Sequence, residues 1–592
     1  MLIVSPILSR HACFFLLLTI ALPLGFAQNQ KAHVGRDSSE QSALQQGREA
    51  LKAGDMTRAR TEFEKAVRLV PSDPAAQAAL GWILAQQGEP EAALEHLRVA
   101  LRLMPSFTNA RLTLVNVLTQ LGKATDAEQE ARLAVKMAPQ DADVYRILAR
   151  TLSQQHAGEA LKEMRRAVEL APQRADLQDD LGNLLAQQKN YPDAEVHFKE
   201  ALRLQPNLEP AHFHLGVLRL QQEELEDAAV ELQKAVEFAP NDAAAHYYLA
   251  KTLRAQSKDA EALAQLRQAA ALNPGWFEAQ IELGLASQRA GDADGAVTAF
   301  TAATKLRPQD PDAVNDLGLA LIQKGDAATA VSKFQAAITL RPEDGTLRGN
   351  LAIAYMQRAD FDSAITELQA ALKLAPQNAS LHYNLGLAYK LKDQLDKAVP
   401  EFESAIRLQP GLSDAHYTLG VLYWQQGDFE KAADELRQAI QEQPNYAEAH
   451  YTLGTVFKQQ GKLAESAAEL REAIRLQPDF AGAHTVLGGV LRQLGDTQGA
   501  AGEAREGARI AAITNSTQAA TFATNSGKRL LSAGDVQGAI AQFRSAINSQ
   551  PNYAAAHYEL GLALQQSGQK EEAKAEFQKA AELDPHLPAP AQ

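Results

Sequence analysis

The sequence repeats itself every 34 residues over most of its length. The unit is clearest from Ser413 to Tyr446, where apolar residues recur at helical spacing in two separate runs. Gly427 and Asp428 lie between the runs and supply a helix stop followed by a new helix start. Pro444 forbids continuation of the second run. Each unit is therefore predicted to fold as two antiparallel helices joined by a short turn.

Particular residue types also recur at fixed positions of the unit. In the copy at 413–446 these positions, numbered 4, 7, 8, 11, 20, 24, 27 and 32, are held by His416, Leu419, Gly420, Tyr423, Ala432, Leu436, Ala439 and Pro444. This pattern resembles the tetratricopeptide repeat (TPR). Histidine replaces the usual tryptophan at position 4, and leucine replaces the aromatic residue at position 24. The resemblance implies an all-α solenoid of antiparallel helix pairs that winds as a right-handed superhelix.

At 592 residues the chain is too long for one ordinary globular core, and the repeats explain its length. The prolines at position 32, together with Ala at position 20 (Ser466 is the one exception), count sixteen repeats over 40–587. Repeats 1 to 14 occupy 40–514 and repeats 15 and 16 occupy 520–587, with a five-residue insert at 515–519 and a tail at 588–592. The prolines are Pro71, Pro105, Pro139, Pro172, Pro206, Pro240, Pro274, Pro308, Pro342, Pro376, Pro410, Pro444, Pro478, Pro551 and Pro585.

Two repeats depart from this regularity. Repeat 4 is one residue short, so its inter-helix turn at 154–157 is predicted to be tighter than those of its neighbours. Repeat 14 is degenerate and has Ala512 where proline is expected, directly before the insert. We interpret 515–519 as either a hinge between repeats 14 and 15 or part of one long helix that bridges them.

The N-terminus has the layout of a secretory signal. Arg10 precedes an apolar run from Ala12 to Phe26, and small residues precede Gln28 at the predicted cleavage site. We expect residues 1–27 to be removed, residues 28–39 to form a polar linker, and the protein to be periplasmic or extracellular. The alternative is an uncleaved segment that anchors the protein in the membrane. The only cysteine, Cys13, lies within this segment.

Charge and motifs bear on several function classes. The net charge of −14 comes without a basic run, which disfavours a nucleic-acid partner. The sequence has no phosphate-binding loop, no HExxH helix and no nucleophile elbow. We therefore expect a protein that is not an enzyme and has no cofactor and no metal. After the signal, no further segment is predicted to span a membrane.

Histidine occupies position 4 in seven repeats. A shared metal is disfavoured because packed helices stand about 8–10 Å apart, whereas zinc needs its ligand nitrogens within about 2.1 Å. The favoured interpretation is a packing residue whose ring nitrogens are hydrogen-bonded, and the alternative is a pH sensor. The seven are His212, His246, His382, His416, His450, His484 and His557.

The resemblance implies that the first helix of each repeat lines an inner, concave surface. Positions 5, 9 and 12 form a face offset from the core face, and in repeats 11 to 14 this face is rich in aromatic and basic residues. The alternative for its tyrosines is packing against the neighbouring first helix. The predicted binding residues are Tyr383, Leu387, Lys390, Tyr417, Val421, Trp424, Tyr451, Thr455, Lys458 and Arg492.

The sequence favours a non-catalytic scaffold or adaptor that binds an extended peptide or protein partner in this groove. One alternative is an assembly factor of a cell-envelope machine for secretion, pilus formation or polysaccharide export. Another is direct binding of an acidic polysaccharide. The last helix lacks the polar cap that usually closes a solenoid, so self-association through the C-terminal repeat is a further expectation.

Overall fold

A computed structural model describes residues 38–587, which form 31 α-helices and, within that range, no β-strand. The predicted signal (1–27), residues 28–37 of the predicted linker and the tail (588–592) lie outside the described residues. The helices are α1 Ser38–Lys52, α2 Met56–Leu69, α3 Pro74–Gln86, α4 Pro90–Leu103, α5 Thr108–Gln120, α6 Ala124–Met137, α7 Ala142–Leu152, α8 Ala157–Leu170, α9 Ala175–Gln187, α10 Tyr191–Leu204, α11 Glu209–Gln221, α12 Leu225–Phe238, α13 Ala243–Ala255, α14 Asp259–Leu272, α15 Phe277–Arg289, α16 Ala293–Leu306, α17 Pro311–Lys324, α18 Ala327–Leu340, α19 Gly345–Gln357, α20 Phe361–Leu374, α21 Ala379–Leu391, α22 Leu395–Leu408, α23 Ser413–Gln426, α24 Phe429–Glu442, α25 Ala447–Gln459, α26 Leu463–Leu476, α27 Ala481–Gln493, α28 Thr497–Ser532, α29 Val536–Ser549, α30 Ala554–Gln566 and α31 Lys570–Leu583.

The helices pack in consecutive pairs, which confirms the predicted all-α fold of antiparallel helix pairs. They fall into two compact units that divide between Leu306 and Arg307. The first unit contains α1 to α16, and the second contains α17 to α31. Within residues 38–587, no helix combines the length and the apolar character that a membrane span requires.

Repeat 12 shows how the sequence pattern produces a helix pair. Gly427 takes a left-handed conformation (φ 84°) that ends α23, and the Asp428 side chain accepts a hydrogen bond from the Lys431 backbone N–H at the start of α24. Gly420 faces α24 so closely that a Cβ there would lie 2.8 Å from Leu436 Cγ. The glycine at position 8 therefore sets the approach of the two helices.

Repeat 4 is one residue shorter than the other repeats, and its first helix is the shortened element, not its turn. Its first helix, α7, has 11 residues, whereas the first helices of repeats 3 and 5 each have 13. Its turn runs from Ser153 to His156 and has no left-handed residue, unlike the turns of its neighbours at Gly122 and Lys189. The prediction of a tighter turn at 154–157 is wrong, because α7 is two residues shorter than its counterparts and the turn has four residues where the turns of repeats 3 and 5 have three.

Residues 515–519 lie inside α28, a single helix of 36 residues, so the structure takes the long-helix alternative. Ala512 keeps the backbone N–H that a proline would remove, and the hydrogen-bond ladder continues. The N-terminal half packs on α27, where His484 contacts Glu503. The C-terminal half packs on α29, where Gly527 leaves room for the Phe543 ring. One helix thus serves as the second helix of repeat 14 and the first helix of repeat 15.

This continuity leaves the start of repeat 15 uncovered. Phe522, at position 3 of that repeat, is 71% exposed because no preceding helix pair packs on it. Elsewhere position 3 packs on the preceding repeat, as Leu381 does above Gly349. Position 3 is buried at the other repeat junctions within each unit, at Ala76, Ala110, Val144, Leu177, Ala211, Ala245, Ala279, Leu347, Leu381, Ala415, Ala449, Ala483 and Ala556.

Candidate partner-binding face

The ten predicted binding residues lie on four consecutive first helices, α21, α23, α25 and α27. Nine of them are partly buried and Arg492 is exposed. We call the surface that these ten residues form the repeat 11–14 face. The face is continuous between repeats 13 and 14. A Cβ at Gly482 would lie 3.4 Å from the Tyr451 hydroxyl, and one at Gly489 would lie 3.5 Å from Lys458 Nζ.

The tyrosines of this face pack against other aromatic rings. Tyr417 lies 4.9 Å from Tyr446 between ring centroids, and Tyr451 lies 4.6 Å from Phe480. Tyr383 lies 5.7 Å from Phe402. These contacts favour the packing alternative for the tyrosine rings, which then form the floor of the face. Two of these partners, Tyr446 and Phe480, occupy position 34 of their repeats. They were not predicted, although the aromatic residues at that position are visible in the sequence.

Three basic side chains of the face have no acidic partner. Among the described residues, no carboxylate lies within salt-bridge distance of Lys390, Lys458 or Arg492. Burial lowers the pKa of Lys390, and no neighbouring charge opposes this effect. All three residues occupy position 12, where repeat 12 has the partly exposed Trp424. A row of uncompensated positive charge therefore flanks an accessible indole.

The equivalent positions of repeats 4 to 8 are different, because each basic residue there is already satisfied. Arg146 Nη1 lies 2.7 Å from Asp176 Oδ2, and Arg150 Nη2 lies 2.7 Å from Asp180 Oδ1. Arg254 pairs with Glu282. Lys251 Nζ lies 5.7 Å and 5.8 Å from the ring centroids of Tyr247 and Tyr248. The basic residues at these positions of repeats 4 and 7 are thus held by carboxylates or aromatic rings, unlike the three cations of the repeat 11–14 face.

Repeats 5 and 6 also hold an acidic cluster that the sequence did not reveal. His214 Nδ1 lies 2.9 Å from Asp179 Oδ1, and both side chains are largely buried. Burial and the neighbouring Asp242 carboxylate raise the pKa of Glu209 to about 7. These residues come from different repeats, so only the packing brings them together. Within residues 38–587 no group of three or more histidine, cysteine, aspartate or glutamate side chains has the geometry to hold a metal.

The histidines at position 4 join adjacent repeats. His416 Nε2 lies 2.9 Å from the carbonyl oxygen of Pro410, the last proline of the preceding repeat. Its Nδ1 lies 2.6 Å from Glu435 Oε2 on the second helix of its own repeat. Both ring nitrogens therefore have partners, as the packing interpretation requires. The glutamate partner, 19 residues along the chain, was not identified from the sequence.

Two clefts in the surface lie at the turns between repeats. One, of about 560 Å³, is lined by residues from Ala138 to Ala142 and by Leu170, Ala171 and Arg174. The other, of about 720 Å³, is lined by residues from Ala375 to Ser380 and by Leu408 and Gln409. Both are shallow clefts between the turns of adjacent repeats. The candidate face is instead an open surface, which suits an extended ligand better than a small molecule.

Comparison with solved structures finds several similar chains. It is similar to the Cut9–Hcn1 hetero-tetramer of the APC/C, with 15% identity over 77% of this chain and 97% of that chain and a TM-score of 0.36. It is similar to YrrB, a TPR protein with an unusual peptide-binding site, with 24% identity over 31% and 94% and a TM-score of 0.29. It is also similar to yeast Tom70, with 16% identity over 66% and 97% and a TM-score of 0.27. No curated protein matches the chain.

Family comparison agrees with the repeat count. A tetratricopeptide repeat model matches residues 44–106, 152–209, 281–345, 392–447, 417–476 and 451–515. Further TPR models match 84–151 and 185–252, 354–393 and 527–568, and 554–587. The first of these models alone covers more than half of the residues, and the chain belongs to the tetratricopeptide repeat family.

Proposed function

We propose that this protein is a non-catalytic scaffold whose repeat 11–14 face binds an extended segment of a partner protein. The tetratricopeptide repeats support a role in protein interaction. The observation that carries the proposal is the row of uncompensated cations, Lys390, Lys458 and Arg492, next to the partly exposed Trp424. The remaining apolar side chains of the face extend the contact area around that indole.

The chemistry of the face indicates the kind of segment that it binds. A partly buried ammonium group without a counter-charge is poorly solvated, so a carboxylate from a partner stabilises it. An aromatic or aliphatic side chain of the partner packs on Trp424 and Val421. Because the helices that carry these groups are already in place, ordering the face costs little on binding. The expected ligand is therefore an extended acidic segment with one or more large apolar residues.

Binding of such a segment is expected to depend on the cations and on the indole. Lys458→Glu/Arg492→Glu and Trp424→Ala are each expected to weaken binding at least tenfold, about 1.4 kcal/mol. The measurement is titration of the purified protein against immobilised acidic, neutral and basic peptides that carry apolar residues. Arg471→Glu is the matched control, because this exposed arginine lies on α26, the second helix of repeat 13.

Two results would contradict this proposal. If the wild type and Trp424→Ala bound an acidic peptide equally well, the repeat 11–14 face would not be the binding site. Tight binding of an acidic oligosaccharide, with no binding of any peptide, would favour the polysaccharide alternative. The dependence of either interaction on ionic strength reports how much of it is electrostatic.

We further propose that the protein acts outside the cytoplasm, as an assembly factor of a cell-envelope machine. The support is the predicted signal at residues 1–27 and the scaffold character of the repeats. Expression in a bacterial host is expected to yield a mature chain that begins at Gln28. The check is N-terminal sequencing together with mass spectrometry of the periplasmic fraction. Full-length protein in the cytoplasmic fraction would exclude export, and full-length protein in the membrane fraction would favour the anchor.

A further inference from the structure

The histidines at position 4 share one geometry that has a chemical consequence. In six repeats the ring Nε2 faces the carbonyl oxygen of the preceding repeat's last proline, and Nδ1 faces a glutamate carboxylate. His450 lies 3.2 Å from the Pro444 oxygen and 2.6 Å from Glu469 Oε2. The six pairs are His212–Glu231, His382–Glu401, His416–Glu435, His450–Glu469, His484–Glu503 and His557–Glu576.

Both partners of each ring accept hydrogen bonds. A carbonyl oxygen has no proton to donate, and neither does an ionised carboxylate. A neutral imidazole carries only one N–H, so it can donate to one of these partners and not to both. The full arrangement needs one additional proton, which makes the ring an imidazolium between two acceptors. Both contacts of such a ring can therefore be hydrogen bonds only while the junction holds this additional proton.

Another junction of the chain has the same arrangement around the histidine at position 4 but does not require an additional proton. His246 contacts Gln265 in place of a glutamate, with Nδ1 2.6 Å from the amide oxygen position. The amide can instead turn its NH₂ group toward Nδ1, so a neutral ring satisfies both contacts. In repeat 2 a glutamine takes position 4, where Gln77 Nε2 donates to the Pro71 oxygen at 2.9 Å. These junctions provide internal references that do not need a proton.

We propose that the junctions before His416 and His450 are proton-dependent clamps, which hold repeats 11 to 13 together more firmly at mildly acidic pH than at alkaline pH. Loss of the proton breaks one of the two contacts of each ring. Either Nδ1 then turns its lone pair toward the carboxylate, or Nε2 no longer donates to the proline carbonyl. This inference concerns the repeats themselves and does not depend on which partner the face binds.

The charged surroundings of both rings favour the protonated form. The hydrogen bond that His416 donates to Glu435 is the largest influence on its pKa, and Glu442 adds a second negative charge, so the pKa of His416 is raised. Burial acts in the opposite direction on His450, but the hydrogen bond to Glu469 and the charges of Glu469 and Glu472 outweigh it, and its pKa is also raised. No basic side chain is among the main influences on either ring.

The sign of the effect on stability follows from these directions. A histidine whose pKa is higher in the folded state contributes its full stabilisation below the pKa of the unfolded chain, about 6.5. That contribution is lost as the pH rises through the folded-state pKa. The clamps are therefore closed below about pH 6.5 and open as the pH rises through the raised folded-state pKa of each histidine.

The test follows the histidine ring signals of the full chain, labelled with ¹³C-histidine, by NMR from pH 5 to 9. In the wild type the pKa of His416 is expected above 6.5. Glu435→Gln converts the pair into the His246–Gln265 kind, and is expected to return the pKa of His416 to 6.5 or below while leaving His246 unchanged. A wild-type pKa of His416 at or below 6.5, or one that Glu435→Gln does not lower, would overturn the proposal.

A second measurement separates a clamp from a merely titrating ring. Amide hydrogen exchange, corrected for the intrinsic effect of pH, is followed for residues 411–416 and 445–450. Protection is expected to fall at least threefold between pH 6 and pH 8.5 in the wild type. It is expected to change less than half as much in Glu435→Gln/Glu469→Gln. Equal protection at both pH values in the wild type would show that the proton does not hold the junctions.

Discussion

Replacement of Gly420 with valine is expected to unfold repeat 12 locally, at a cost of about 3 kcal/mol. A Cβ at this position would lie 2.8 Å from Leu436 Cγ and 3.2 Å from the Ala432 carbonyl oxygen. The first obstacle is the branch point of a fully buried side chain and the second is backbone, so neither can move without separating α23 from α24. Hydrogen exchange is expected to accelerate across 413–446, with a smaller effect in repeats 11 and 13.

Gly502 is the matched control for this substitution. It lies within α28, and nothing stands within 4 Å of a Cβ built there. Valine at this site loses little, because its helix propensity exceeds that of glycine. The expected change in stability is within about 0.5 kcal/mol. If Gly420→Val and Gly502→Val were equally tolerated, close approach at position 8 would not hold the helix pair together.

Phe402→Ala is the second change with a large expected effect, a loss of about 3–5 kcal/mol. Phe402 is fully buried on α22 and fills the space above Gly386, where a Cβ would lie 2.8 Å from the ring. Truncation leaves a cavity and also removes the ring against which Tyr383 packs. Thermal unfolding followed by circular dichroism, together with limited proteolysis near 379–412, measures the loss.

Phe522→Ala makes the same chemical change at an exposed site. Phe522 is 71% exposed on α28, so its truncation removes little buried surface. The expected change in unfolding free energy is below about 0.5 kcal/mol. Because each repeat contacts mainly its neighbours, the effect of Phe402→Ala is expected to stay within repeats 10 to 12. Uniform destabilisation of every repeat would contradict that expectation.

The helix pairs are the part of the fold that short-range sequence predicts well. Gly427, Asp428 and Pro444 each act on the backbone within a few residues of their own position, through a left-handed turn, a capped N-terminus and a blocked hydrogen bond. The sequence pattern predicts that the missing residue of repeat 4 shortens the turn, whereas it shortens the helix. Its position in the sequence does not show whether the helix or the turn absorbs it, and the structure shows that α7 ends early, at Leu152.

The candidate face was only partly predictable. Positions 5, 9 and 12 follow from helical periodicity, so its members could be named from the sequence. The sequence does not show which of the basic residues lack an acidic partner. Arg146 and Lys458 look alike in the sequence, and only the structure places Asp176 beside Arg146. The histidine clamps could not be predicted from the sequence either, because the carbonyl group of Pro410 that faces His416 belongs to the preceding repeat.

The sequence by itself determined the repeat, its length, its two helices and the residues that cap them, because these depend on contacts within one 34-residue unit. Only the tertiary structure decided that α28 runs unbroken through 515–519, that Phe522 is left uncovered, and that three cations remain unpaired. Each of these depends on which surfaces meet when separate repeats pack. The stabilisation of a charge or of a buried ring depends on neighbouring residues that lie far away along the chain.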